Sequence, residues 1–263
     1  MIKKLFQKKA KAKHLVKAAN IVSDILIELE ALTRPGVNLG MLDELAARRI
    51  IECGATSFNK NYHPRWSKKP YPATICASVD EEVAHAPPGL RELEEGQIVN
   101  YDIGIKYKTA CGDAALSVPV GDISNKKERL LRYAKRALYA GIEEIKAGVP
   151  VSKIGETIAK SANLNGYNII KDFGGHGIGI EMHEAPLIPN FYDERNDDKI
   201  LVEGQVICIE PMITTGNAKI GILGTDGWTA FTLDGQVCAM FEEMVLVKKN
   251  SYEILTSHLT QKN

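Results

Sequence analysis

Four carboxylates stand where the surrounding sequence is too apolar to leave them to solvent. Glu210 lies inside Gln205-Val206-Ile207-Cys208-Ile209-Glu210-Pro211-Met212-Ile213, and Glu242 interrupts an apolar run from Cys238 to Val247. A charge in such a strand needs a partner, because burial without one is costly. Asp102 ends another apolar run, and Asp113 follows after a break at Tyr107-Lys108-Thr109. A hairpin turning at Tyr107 and Lys108 would set the two aspartates opposite each other, ~4.5 to 5.5 Å apart on one face. Carboxylates that close require a proton or a cation between them, whereas a single aspartate near a turn is simply solvated. Structural ion pairs are one way to absorb the four acids. The basic residues fall largely in helical and loop segments, however, which leaves a cation other than lysine or arginine.

Histidine supplies the second ligand type. His176 and His183 sit in the segment Phe173 to Pro186, whose glycines let the chain pass close to something else. Gly175-x-Gly177-x-Gly179 lacks the spacing of a dinucleotide loop, and His183-Glu184 lacks the second histidine of the H-E-x-x-H zinc protease helix. Four carboxylates with one or two imidazoles, and no thiolate ligands, suit a pair of borderline divalent ions such as Mn, Fe, Co or Zn. Two such ions ~3.5 to 4 Å apart lower the pKa of a shared water and clamp a substrate oxygen, so the chemistry is hydrolysis.

Positioning these residues falls to a chain that reads as two related halves. Apolar residues recur at helical spacing from about His14 to Leu32 (Leu15, Ala18, Ala19, Val22, Ile25, Leu26, Leu29). Arg34-Pro35-Gly36-Val37 breaks that helix, and a second runs from about Leu39 to Glu52. Residues 73 to 80 read as a buried strand. Further on, helices over Lys126 to Lys146 and Val151 to Ala162 flank a break at Gly148-Val149-Pro150. Glu95-Gly96-Gln97-Ile98-Val99 leads to Asp102, and Glu203-Gly204-Gln205-Val206-Ile207 leads to Glu210, each carboxylate seven residues after the glutamate. The expected architecture is α+β: two pseudo-symmetric halves, about 14–125 and 126–250, with helices covering a curved, mainly antiparallel sheet. One catalytic domain would span 1–263, with 1–13 as a basic N-terminal extension.

Composition narrows the partners. Among 263 residues, 33 Lys and Arg balance 33 Asp and Glu, so no global field recruits nucleic acid or an anionic membrane. No stretch approaches the ~18 apolar residues of a membrane span. Five scattered cysteines without a Cys-x-x-Cys pair argue against a disulfide framework, and the lysine-rich start carries no apolar signal core. A cytoplasmic location is the expectation.

In chain order, Ala84-His85, Asp102, Cys111-Gly112-Asp113, Gly175-His176-Gly177-Ile178-Gly179, His183-Glu184-x-Pro186, Ile209-Glu210-Pro211-Met212 and Phe241-Glu242 resemble the motifs of the methionine aminopeptidases. The 32-residue spacing from Glu210 to Glu242 leaves no room for the helical insertion of the type II enzymes, so the resemblance is to type I. It implies the pita-bread fold and metal-dependent removal of the N-terminal methionine from peptides and nascent proteins. Carried over by position, Asp113 and Glu242 would bridge two ions, Asp102 would hold one, and His176 and Glu210 would complete the other. A bridging hydroxide would attack the scissile carbonyl, Glu210 would shuttle the proton, His183 would stabilise the tetrahedral intermediate and His85 would face the scissile nitrogen. Tyr71, Cys76 and Trp228 would wall the methionine pocket together with Met182, which replaces a usual phenylalanine. Ala84 replaces a frequent cysteine, and Glu243 stands where histidine is common. A monomer is expected. Two other readings belong with this one: an Xaa-Pro or other peptidase of the same fold, and an inactive protein docking on the ribosome through Lys3, Lys4, Lys8, Lys9, Lys11 and Lys13.

Overall fold

A computed structural model describes residues 2–222 and 225–256, with side chains from residue 12 onward. The first helix, α1 (Ile2–Leu32), begins well before His14, so most of the expected basic extension continues the helix. Lysine, alanine and glutamine are good helix formers, which favours this continuation. The side chains of Lys3, Lys4, Lys8, Lys9 and Lys11 lie outside the described residues. From residue 15 the apolar stripe is buried as its spacing requires, with Ile21 added to it, while Lys17 and Asp24 are exposed.

Helix α2 (Leu39–Glu52) starts where Asn38 caps it, the side chain accepting the Gly40 N–H at 2.9 Å. The expected strand over residues 73 to 80 is shorter, β1 (Cys76–Val79), because the Thr74 and Ile75 amides donate to Asp43 Oδ1 and so leave the ladder. Strands β2 (Ile98–Tyr107) and β3 (Ala110–Pro119) form the long hairpin that carries both aspartates. Helix α3 (Asn125–Ile142) stops short of Lys146, and α4 (Val151–Asn163) follows. Between them the Ala147 amide donates to Lys248 O and the Gly148 amide to Leu201 O, pulling the chain out of the helix.

The second half supplies β4 (Gly174–Gly177), β5 (Glu184–Pro189), β6 (Val206–Ile209), β7 (Met212–Thr214), β8 (Cys238–Met240), β9 (Glu243–Val247) and β10 (Tyr252–Ile254). A five-stranded sheet runs β10-β9-β6-β4-β5, and β2 carries β1 and β3 on its two sides. All described pairings are antiparallel. The Glu242 amide donates to Ala115 O at 2.9 Å, stitching the two sheets at the centre. Helices α1 and α2 cover the first half, and α3 and α4 the second, over one continuous apolar core.

Internal duplication shows in the hydrogen bonds. The Gly96 amide donates to Val120 O and the Gly204 amide to Val247 O; Val120 then returns a bond to Gln97 O, as Val247 does to Gln205 O. Gln97 and Gln205 each accept a backbone N–H from three residues upstream, and both glycines take a left-handed φ, +85° and +89°. The helix breaks match too, with Gly36 donating to Leu93 O and Gly148 to Leu201 O. Corresponding bonds of this kind follow from a repeated unit and have no reason to arise by chance. The two halves of the α+β reading are therefore present in the structure.

Candidate active site

The hairpin register corrects the sequence expectation. Asp102 pairs with Ala115 and Asp113 with Gly104, because the turn falls at Lys108-Thr109, one residue later than expected, with Lys108 at φ +53°. The two aspartates are diagonal rather than directly opposite. Moving the turn by one residue shifts each partner by two, so both side chains keep the same face of the ladder. On the other side of β2, Cys76 is directly opposite Asp102.

His176 reaches the same place because β4 runs unusually close to β6. A Cβ on Gly175 would sit 2.0 Å from Cys208 O, so only glycine permits this approach. His176 Nε2 then lies 3.6 Å from Asp113 Oδ2 and 3.7 Å from Glu210 Oε1. Glu242, following β8, is 2% exposed, and its Oε1 has no hydrogen-bond partner. Asp102, Asp113, His176, Glu210 and Glu242 thus converge across roughly half the chain length. Among the described residues, no lysine or arginine forms an ion pair with any of them.

Crowding without a counter-cation raises Asp102, Glu210 and Glu242. Burial pushes Asp102 up to about 8, and the charge of Asp113 adds to it while His176 opposes. Burial likewise pushes Glu210 to about 8, against the pull of His176. Glu242 is driven well above the carboxylate range by burial and by the charges of Asp113, Glu210 and Asp102. For His176, burial alone would favour the neutral ring, but the Asp113 and Glu210 carboxylates outweigh it and hold the imidazole at about 9. A donor set of buried, mutually repelling carboxylates with an orphaned oxygen fits divalent cations, which would displace the protons and satisfy the lone pairs.

One thiol joins the group. Cys208 Sγ lies within 4.8 Å of donor atoms of Asp113, His176 and Glu242. Its burial beside the Glu242 carboxylate keeps the thiol protonated. Sequence reading assigned Cys76 alone among the cysteines to the site, as a pocket wall, and the available signal for Cys208 was alternation, which puts it two residues from Glu210 on one face. Glu243 points away from the cluster, with its buried carboxyl taking a hydrogen bond from Tyr139 and another from Thr256.

Two cavities open on the cluster and share His85, Asp102 and His183. The first, about 100 Å³, is walled by the expected Tyr71, Cys76, Met182 and Trp228. Phe58, Asn59, Tyr62 and Trp66 complete the wall, and sequence reading missed them because they lie in or beside a polar Lys- and Pro-rich loop without periodicity. Trp228 anchors the aromatic wall, edge to face with Tyr71 at 5.1 Å and with Trp66 at 5.0 Å. The second cavity, about 370 Å³, adds Phe173, Leu187, Met212 and Glu184. His183 stands at the junction, its ring 4.5 Å from that of His176. His85 is held against Phe173 by a left-handed backbone, φ +59°, and burial lowers its ring to about 4. His183 is lowered too, by burial and then by His176. Both rings are neutral at pH 7 and present one donor and one acceptor each.

Residues 13–249 match the model of metallopeptidase family M24. Methionine aminopeptidase 1 of Bacillus subtilis is 36% identical over 239 residues, covering 91% of this chain and 93% of the relative. The crystal structure of methionine aminopeptidase from Thermotoga maritima superposes with a TM-score of 0.88 at 32% identity, covering 94% of this chain and 96% of that one. That of Rickettsia prowazekii gives 0.86 at 30%, covering 97% and 98%. A prolidase from Pyrococcus furiosus shares the fold at 19% identity and a TM-score of 0.73; the match covers 94% of this chain and 64% of the prolidase.

Proposed function

The chain belongs to metallopeptidase family M24, as one of its methionine aminopeptidases, and from that premise we propose that Asp102, Asp113, His176, Glu210 and Glu242 hold two divalent cations. The observation that carries this is the convergence of five side chains, with a buried carboxylate oxygen on Glu242 that no protein group satisfies. Bound there, Mn, Fe, Co or Zn would supply a water of lowered pKa and a Lewis acid for the scissile carbonyl.

The rest is the work of the protein's own groups. The first cavity takes the side chain of residue one, and Met182 gives its wall a polarizable, adaptable lining suited to a thioether. Substrate length is limited on one side only, because the second cavity opens outward past Leu187, which is 58% exposed. His183, neutral and at the junction, donates an N–H to the carbonyl oxygen as negative charge develops there. His85, also neutral, faces the scissile nitrogen. The Glu210 carboxylate carries the proton from the attacking water to the leaving amine. Free thiols at all five cysteines agree with a reducing, cytoplasmic setting. Peptides and nascent chains that begin with methionine are the substrates of this reading.

Incubating chelated protein with a Met-Ala peptide, alone and with added Mn, Fe or Co, tests it. Methionine release that appears only with metal is expected, and no release with any of the three would refute the proposal. An Ala-Pro peptide in the same assay should be cleaved far more slowly, which separates this activity from that of an Xaa-Pro peptidase.

A further inference from the structure

We propose that the loop spanning residues 60–69 selects substrates that are acidic beyond their second residue, an inference that rests on the aminopeptidase activity above. Residues 53 to 79 contain no aspartate or glutamate, yet they include Lys60, His63, Arg65, Lys68 and Lys69. Arg65, Lys68 and Lys69 are exposed and form no ion pair among the described residues. In a chain with no net charge, three neighbouring cations left unpaired make a local positive field on this loop.

The position of this field is fixed by the same loop. Tyr62 and Trp66 line the first-residue cavity, and Trp66 packs edge to face on Trp228. His63 and Ser67 tighten the turn, with His63 Nε2 3.2 Å from Ser67 O and the Lys69 amide donating to Ser67 Oγ at 3.2 Å. The cations are therefore held at the rim of the site rather than on a free tether. Neither cavity has a lysine or arginine in its lining, and the charge on the second cavity outside the five-residue cluster is Glu184. An acidic chain leaving the site is repelled by the Glu184 side and drawn toward the loop. A basic chain meets the reverse. Trp66, 62% exposed, offers its open face to whatever side chain passes. A polyanion such as RNA would also find charge and an aromatic face here, but the loop is tied to the wall of a peptide site that every substrate must cross.

The test compares three peptides, Met-Ala followed by three aspartates, three serines or three lysines, with the metal-loaded enzyme. At about 50 mM salt, kcat/KM should favour the acidic over the basic peptide by roughly tenfold, carried mostly in KM, and the ratio should shrink toward one near 500 mM as screening sets in. In the double variant Lys68→Glu, Lys69→Glu the ratio should invert, with the serine peptide as the internal reference. Equal kcat/KM for all three peptides, or an acidic preference that survives the charge reversal, overturns the inference and leaves the aminopeptidase reading standing. No release from any peptide overturns both. Binding of a labelled RNA oligomer that is lost in the double variant, without a peptide preference, assigns the loop to RNA instead.

Discussion

Asp102, His176, Glu210 and Glu242 hold their protons to higher pH than their types predict, and that gives metal binding a signature. Asp102 and Glu210 near 8, Glu242 driven well above the usual carboxylate range and His176 near 9 mean that the metal-free site holds several protons at pH 7. Cations compete with those protons, so affinity should rise with pH between about 6 and 8. Calorimetric titration with Mn in two buffers of different ionisation enthalpy should show release of more than one proton per ion. A titration with no proton release would mean that the carboxylates are already ionised and that their mutual repulsion is relieved in some other way. At the junction of the cavities, His183 does a different job from the cluster. Replacing it with alanine should lower kcat by roughly 10²- to 10³-fold, the usual effect of removing one donor to a developing oxyanion, with metal content unchanged. Steady-state kinetics alongside a metal assay checks this, and lost metal would place His183 in the cage instead.

Elements decide how near these side chains come, and the strand β4 shows it best. Alanine at Gly175 would drive a methyl group into Cys208 O at 2.0 Å and bring it to 3.4 Å from Ile209 Cα, both backbone atoms of β6 that cannot step aside. The strand must lift, taking His176 away from Glu210. We expect Gly175→Ala to weaken metal binding at least tenfold and to lower the melting temperature of the metal-free protein. Wild-type metal affinity in a folded Gly175→Ala protein would show that the close approach is not needed. Much of this was readable from residues alone: the glycines of 174–179 mark a close approach, and α2 has the Leu39–Glu52 bounds expected after the break at Arg34-Pro35-Gly36-Val37. The hairpin was harder, because Lys108 takes a left-handed φ that no glycine or asparagine advertises. Parity saved the site, since an error of one residue in the turn leaves both aspartates on one face. Tyr62 and Trp66 were illegible for another reason: a loop has no period, and only the fold brings it over Trp228. Cys208 stood in view within the Glu210 strand, yet its proximity to Glu242 depends on the pairing of β6 with β9, which spacing does not reveal.

At the scale of the whole molecule, the site opposes the fold that builds it. Groups whose native pKa is raised bind more protons folded than unfolded, so stability falls as pH rises through the interval between the two values. For Asp102 and Glu210 that interval runs from about 4 to about 8, and for His176 from about 6.5 to about 9. Burial also raises Glu243 to about 8, partly offset by its bonds from Thr256 and Tyr139, and it adds the same sign. The carboxylates held low by partners, such as Glu28 and Asp193, act only below pH 5 and do not oppose this trend. Each extra proton held by the native state is worth about 1.4 kcal/mol per pH unit, or roughly 3 °C in melting temperature for a chain of this size. The metal-free protein should therefore lose several degrees for each unit between pH 6 and 8. Divalent cations bind only the folded cluster and supply the positive charge that it lacks, so the gain in melting temperature on adding metal should be larger at pH 8 than at pH 6. Thermal scans with and without Mn across that range measure both slopes. A metal-free melting temperature that stays level or climbs with pH would mean that the four carboxylates are not a repelling set, and the cage would lose its physical basis.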